Sequence, residues 1–351
     1  MKASVYKIGT PRRLLVHRGN ERRLVTQYPR RRILRLAAGA AALPAISRMS
    51  WAQAYPSRPV RIITPFSPGG GADVLLRVVA QKLAERWKQP VVIENRAGGN
   101  TLVGTVAVSK APTDGYTLLF TSEQTFILNP LLYATIPYSM KEFDPIILVA
   151  SIPHMLSVSR KLPVENVKEL IALAKQKPGS LTYGTTGPGT IQRIATEYFA
   201  SIAGIKLLHV PYRGANEATT ALLSGEIDLT INAMSNILPH IEGGKLKALA
   251  ISTLSRHPLA PDVPTMQEAG VPGYRSESAF GLFAPTGVPA EIRATIRTAL
   301  TEVLQHPDVL KVLEARSFQV NNVGPDGFAK LIATETEKWA KVIRAANIKG
   351  E

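Results

Sequence analysis

From Val60 onward, short apolar runs of strand character alternate with amphipathic stretches of helical period, separated by Gly- and Pro-containing turns. Residues 60–64 read as a strand and 72–87 as a helix, then 91–93 as a buried strand, 101–110 as a helix and 116–120 as a strand. This βαβαβ order predicts a parallel sheet with helices on its faces. A second block repeats it, with helices over 167–176, 191–203, 215–224 and 236–243 and strands over 181–183, 207–210, 227–231 and 246–252. Between the blocks, residues 143–159 form a long apolar stretch interrupted by Pro145 and Pro153, able to carry a strand from one unit into the other. After a Pro-rich link (Pro258, Pro261, Pro264, Pro272) come a strand-like piece at 280–283 and helices over 290–305, 307–315 and 327–346. The expectation is an α/β chain of two lobes with a cleft between them: 55–155 and 253–351 form lobe 1, and 156–252 form lobe 2. The chain is expected to cross between lobes near 150–156 and again near 252–258.

Composition narrows the function classes. With 45% hydrophobic and 19% charged residues the chain can bury a core. It has no cysteine, which excludes disulfides, thiolate metal sites and a Cys nucleophile. The net charge of +16 first points to nucleic acid, but residues 1–54 hold 12 of the 42 Lys+Arg and one of the 26 Asp+Glu. The remainder has 30 basic against 25 acidic residues, a net +5, which is no nucleic-acid footprint. The basic N-terminus reads as a targeting segment. Arg30-Arg31-Arg32-Ile33-Leu34-Arg35 is similar to a twin-arginine export signal. Residues 36–46 are apolar but fall short of the roughly 20 residues that span a bilayer. Ala52-Gln53-Ala54 is a small-x-small cleavage site, giving a mature start at Tyr55 and a periplasmic location. A basic disordered tail is the alternative reading of this segment.

Two turns carry the chemistry. Thr64-Pro65-Phe66-Ser67-Pro68-Gly69-Gly70-Gly71-Ala72-Asp73 joins a strand to a helix. In parallel α/β sheets, ligands sit beyond the carboxyl ends of strands, where helix N-termini present unpaired N–H groups. The glycines let a ligand approach the main chain, the prolines stiffen the loop, and Asp73 can cap the helix by accepting a backbone N–H. Tyr183-Gly184-Thr185-Thr186-Gly187-Pro188-Gly189-Thr190 occupies the matching place in the second block and adds hydroxyls. Arg193 follows in the first helical turn, within reach of a carboxylate. A single Gly-rich turn is more often only a tight turn; two at matching positions point to a clamp on an anion. A third such loop, 95–100, reads as structural, with Asn100 or Thr101 as the helix cap.

Neither loop matches the phosphate-loop or dinucleotide patterns, and GxSxG and HExxH are absent. None of the six histidines has a metal-ligand spacing to another. His209 reads as a satisfied core residue, His154 as part of the crossing, and Asp228 as a turn or strand-start residue. No metal, no cofactor and no catalysis are expected.

At these loops the chain resembles the Bug family, the periplasmic substrate-binding proteins of tripartite tricarboxylate transporters. The shared pieces run in order through most of the chain: Tyr55-Pro-x-Arg-Pro59, Pro65-Phe-x-Pro-Gly-Gly70, Glu94-Asn-Arg96, Asp114-Gly-Tyr-Thr-Leu118, His209-Val-Pro-Tyr212, Asp262-Val-Pro-Thr265, Gly281-Leu-x-Ala-Pro285 and Lys338-Trp339. The resemblance implies a type II periplasmic binding-protein fold, two lobes joined by two crossing strands. It implies capture of a small carboxylate without chemical change and delivery to a membrane permease, with a monomer as the default. By the same resemblance, Phe66, Ser67, Pro68, Gly69, Gly70 and Asp73 belong to one jaw, and Thr185, Thr186, Gly187, Gly189, Thr190 and Arg193 to the other. Ser122, Glu123 and Gln124, after the strand ending at Thr121, are expected to face the cleft; Glu123 sits awkwardly beside a carboxylate and either meets an amino group or points away. Many family members have His where this chain has Arg193, Asp where it has Asn232, and Trp where it has Ala279. An added cation and a lost anion favour a more negative ligand, and Ala279 leaves room for a larger one. A dicarboxylate or aromatic carboxylate is therefore expected. A ligand-presenting receptor for a sensor kinase is the second reading, and an exported α/β enzyme a distant third.

Overall fold

The computed structural model describes residues 13–18, 21–26 and 55–350, so the arginine motif, residues 36–46 and the expected cleavage site lie outside the described residues. The chain divides into two units, 1–54 and 55–351. In the first, β1 (Arg13–Arg18) pairs antiparallel with β2 (Glu21–Thr26), Arg13 opposite Thr26 and Arg18 opposite Glu21. The sequence reading assigned no element there.

In the second unit, β3 (Val60–Thr64) lies parallel between β4 (Val91–Asn95) and β5 (Thr117–Ser122). The sheet is mixed rather than wholly parallel. β11 (Glu277–Pro285) runs antiparallel between β5 and β6 (Phe143–Ser159), and β12 (Gln319–Val323), which the sequence reading missed, flanks β6 on its other side. β6 is a single 17-residue strand shared by both lobes. Its residues 143–153 pair with β11, and from His154 onward it pairs with β9 (Leu229–Ala233) and β10 (Leu246–Ile251). Its two prolines are tolerated because of where they fall. Pro153 is the last residue opposite β11, where the partner strand changes, and Pro145 lies beside a register shift in β11. β7 (Thr182–Thr185) pairs in parallel with β8 (Leu208–Pro211) and β9 to complete the second sheet.

The return crossing lies later than the expected 252–258. Residues 253–276 still pack on the second lobe: Met266, Val271 and Tyr274 share its core with Phe199 and Leu249. Ser276 therefore lies beside the first crossing. The His154 ring reaches Ser276 Oγ through Nδ1 (2.7 Å) and Ser278 Oγ through Nε2 (3.0 Å), while the His154 backbone N–H donates to Ser252 Oγ (2.8 Å). Burial, then the positive charge of Lys338, pushes the His154 pKa down to about 3, so the ring is neutral at pH 7.

Helical faces follow from periodicity. In α1 (Gly71–Trp87), Leu75, Leu76, Val79 and Leu83 recur at helical spacing and are buried on Ile62 and Leu118, beside α8 (Ala290–Leu304) and α9 (Pro307–Glu314). The opposite face is covered by α2 (Leu102–Ser109) and α10 (Pro325–Ala345). The second sheet is enclosed by α4 (Val167–Gln176) and α5 (Ile191–Ala203) on one face, and by α6 (Ala215–Ser224) and α7 (Met234–Glu242) on the other. A π-helical turn, Gln124–Leu128, and the short α3 (Asn129–Leu132) stand where the sequence reading assigned no element. One cluster spans both lobes: Ile191 and Ile194 of α5 meet Leu128, Leu132 and, from α10, Trp339, Val342 and Ile343.

Candidate ligand-binding cleft

The first loop is built from beneath. Gly70 is the N-cap of α1, and the first N–H groups of the helix have no acceptor within it. Asp73, 1% exposed, does not act as the N-cap and is turned under the loop. Its carboxylate accepts the Gly69 N–H (2.9 Å), Asn95 Nδ2 (2.8 Å) and two Arg77 nitrogens (2.7 and 3.1 Å). Gly69 adopts φ +82°, a conformation open to glycine at little cost. Asn95 Nδ2 also donates to the Phe66 carbonyl (3.0 Å), tying the loop to the end of β4. Phe66 is half-buried with its ring edge-on to Phe280, whereas Ser67, Pro68, Gly69 and Gly70 are exposed.

Burial alone would raise the Asp73 pKa, but the hydrogen bonds from Arg77, Gly69 and Asn95 outweigh it and hold the carboxyl below its ordinary value. Asp73→Ala is expected to lower stability by about 2–3 kcal/mol, because it strands the Gly69 N–H and the Asn95 amide. A urea titration at pH 7 measures this. The depressed pKa means that the carboxylate's contribution is present at neutral pH and is lost as pH falls below about 4. The gap between wild type and variant should therefore narrow in acid; a constant gap would contradict the role.

The second loop is organised by its own side chains. Thr185, 2% exposed, accepts the Gly187 N–H (3.2 Å) and lies 2.7 Å from His209 Nε2, while Thr190 Oγ1 donates to the Gly187 carbonyl (2.9 Å). Gly187 has φ +137°. The Gly189 carbonyl accepts Gln124 Nε2 of the first lobe (2.8 Å), and a Cβ at Gly189 would sit 3.1 Å from Asn100 Nδ2. Thr186 is half-buried. Arg193 donates through Nη1 to the Pro188 carbonyl (3.2 Å); its Nε is buried and has no hydrogen-bond partner among the described residues. Burial, then the Arg193 charge, pushes the His209 pKa down to about 4, so Arg193 is the cation of this loop at neutral pH.

The structure distributes the expected residues over three places. Gly69 and Gly71 open onto an interlobe cleft of about 560 Å³ whose far wall is α7, including Ser235, Asn236 and Glu242. The Thr185–Arg193 segment holds its own shape and touches the first lobe through Gly189. Ser122 and Glu123 line a different cavity, beside Ala279, whose N–H donates to Glu123 Oε2 (2.8 Å). Asn232, 3% exposed, is engaged locally, accepting the Ala233 N–H (2.8 Å). Sequence reasoning missed Ser235, read Asn95 only as part of a structural loop, and left Gln124 without its interlobe role. Thr64 and Asn95 stand opposite each other across two strands, a pairing that only tertiary structure supplies. Among the described residues, no group of three His, Asp or Glu could hold a metal, and no helix is long and apolar enough to cross a membrane.

Comparison with known proteins identifies the family and the fold. Residues 75–348 match the model of the tripartite tricarboxylate transporter family receptor. The chain is 35% identical over 300 residues to BugT of Bordetella pertussis, covering 85% of this chain and 92% of that protein. A structure of an R. palustris protein with adipate superposes with a TM-score of 0.78 at 34% identity, covering 84% of this chain and 99% of the other. MatC of Rhodopseudomonas palustris with bound malate gives 0.74 at 28% identity, covering 82% and 100%.

Proposed function

The chain belongs to the tripartite tricarboxylate transporter receptor family, and from that premise we propose that it is a periplasmic solute-binding protein for a small organic carboxylate. A dicarboxylate or aromatic carboxylate is the preferred ligand. The protein holds it unchanged and passes it to the membrane permease of a tripartite tricarboxylate transporter. It acts as a receptor and not as an enzyme, and works as a monomer exported by its N-terminal signal.

The observation that carries this reading is Arg193. Two Gly-rich turns, one per lobe, each precede a helix whose first N–H groups have no intrahelical acceptor. Arg77 at the first turn is taken up by Asp73, which leaves Arg193 as the cation of the pair, and its buried Nε lacks an acceptor among the described residues. A carboxylate at Arg193 supplies that acceptor and gains a charge-assisted hydrogen bond. A second carboxylate at the first loop meets main-chain N–H groups and no free anion, since Asp73 is taken up by Arg77, Gly69 and Asn95. Adipate and malate, held by the two relatives, set the size range for a first screen.

The test is a thermal-shift screen of the chain against mono-, di- and tricarboxylates and aromatic acids. A ligand at a hundred times its Kd stabilises by about 2.7 kcal/mol. Arg193→Ala should then weaken the best carboxylate about tenfold or more, roughly 1.4 kcal/mol. Unchanged affinity in calorimetry would remove Arg193, and with it the clamp, from the reading.

A further inference from the structure

A second cavity has no part in the carboxylate clamp. It measures about 260 Å³ and lies between the first sheet, the π-helical turn and α10. Phe126, Leu148, Phe283, Phe328 and Trp339 supply its apolar walls. A cavity of about 150 Å³ already admits benzene, so one aromatic ring with a short arm fits this one. Ala279 also lines it, and its small side chain leaves the space open.

With Glu123 ionised, the charges around this cavity do not balance. Arg275 pairs with Glu277 (2.8 Å) and Lys338 pairs with Glu335. The third acid of the wall, Glu123, is 8% exposed and forms no ion pair among the described residues. Its hydrogen bond from the Ala279 N–H is one that a neutral amide would accept equally well. Burying an acid without a cation costs far more than burying that amide. Once Glu123 gives up its proton the wall is short of one positive charge, and its aromatic faces are surfaces that attract cations.

We propose that this cavity binds a primary amine carried on an aromatic or similarly apolar body, with the ammonium group on Glu123 and the body among Phe126, Phe283, Phe328 and Trp339. The ammonium supplies the missing charge, and the rings take up the apolar part. The site is separate from the carboxylate clamp. The other charged groups lining the cavity are Glu277 and Arg275 from the β11 side and Glu335 and Lys338 from α10, held in two ion pairs. His154, bonded to Ser276 and Ser278 nearby, is neutral. Glu123 is thus the group whose protonation the amine must displace, so amine affinity rises with pH between 6 and 8.

The experiment titrates 2-phenylethylamine and the equally sized neutral 2-phenylethanol into the full chain by calorimetry at pH 6, 7 and 8. The expected result is saturable one-site binding of the amine, at pH 8 about tenfold or more tighter than the alcohol. It should strengthen with pH and release one proton per amine bound at pH 6. Glu123→Gln should weaken the amine about tenfold and leave the alcohol within about twofold. Ala279→Phe should abolish both by filling the cavity, and Leu331→Phe does so from α10 if the first variant does not fold. Carboxylate affinity should be unchanged in Glu123→Gln, which keeps this test independent of the clamp. No saturable amine binding, equal binding of the alcohol, or indifference to Glu123→Gln overturns the proposal.

Discussion

Trp339→Ala is expected to lower the unfolding free energy by about 3–5 kcal/mol, the range for emptying a buried large aromatic site. Trp339 is 1% exposed and lies where three elements converge. Its ring meets Tyr198 of α5 edge-on at 5.8 Å between centroids and carries the Lys338 ammonium 4.2 Å above it. Alanine would leave a void bounded by Ile194, Ile343 and Leu128, which belong to three different elements and cannot all close in. Because that cluster ties α10 to the second lobe, the loss should also weaken coupling between lobes. Denaturant titration with fluorescence and far-UV detection measures both: a lower midpoint, and two probes that cease to coincide. A loss under about 1 kcal/mol would mean that α10 does not bind the lobes together.

Glu123→Gln should act in the opposite direction, and only above acid pH. Burial, only partly offset by the Ala279 N–H, pushes the Glu123 pKa up from 4.5 to about 8. A raised folded pKa means that the folded protein holds a proton which the unfolded chain has already released. The contribution of Glu123 to stability is therefore full below about pH 4.5 and falls as pH rises toward 8, by up to about 1.4 kcal/mol per pH unit. Glutamine keeps the shape and the Ala279 contact but has no proton to lose. The variant should match wild type near pH 4 and exceed it by several kcal/mol at pH 8. His154 and His209, whose depressed pKa values act with the opposite sign, are common to both proteins and cancel in the difference. A difference that does not grow with pH would place Glu123 in water.

The legible part of this protein is local. Helices 167–176, 191–203 and 215–224 carry their own periodicity, and the structure ends them at the same residues. The single long strand through Pro145 and Pro153 was also readable, because an apolar run of that length has few other uses. Both Gly-rich turns were visible for the same reason: an unusual backbone demands an unusual residue, and φ values of +82° at Gly69 and +137° at Gly187 meet that demand. The late return crossing was hidden because residues 253–276 have little regular structure, and their membership of the second lobe rests on scattered contacts from Met266, Val271 and Tyr274.

The chain by itself determined the α/β order, the two-lobe plan, the pair of Gly-rich turns and the family, because each depends on residues close together or on motifs in sequence order. Only the tertiary structure decided what the polar side chains at the turns do. Asp73 supports a loop, Gln124 reaches across to Gly189, and Glu123 faces a largely apolar cavity whose two cations, Arg275 and Lys338, are paired with other acids. A side chain's role is set by which donors, charges and voids come within a few ångströms of it, and for these residues the partners come from elements far apart in the chain.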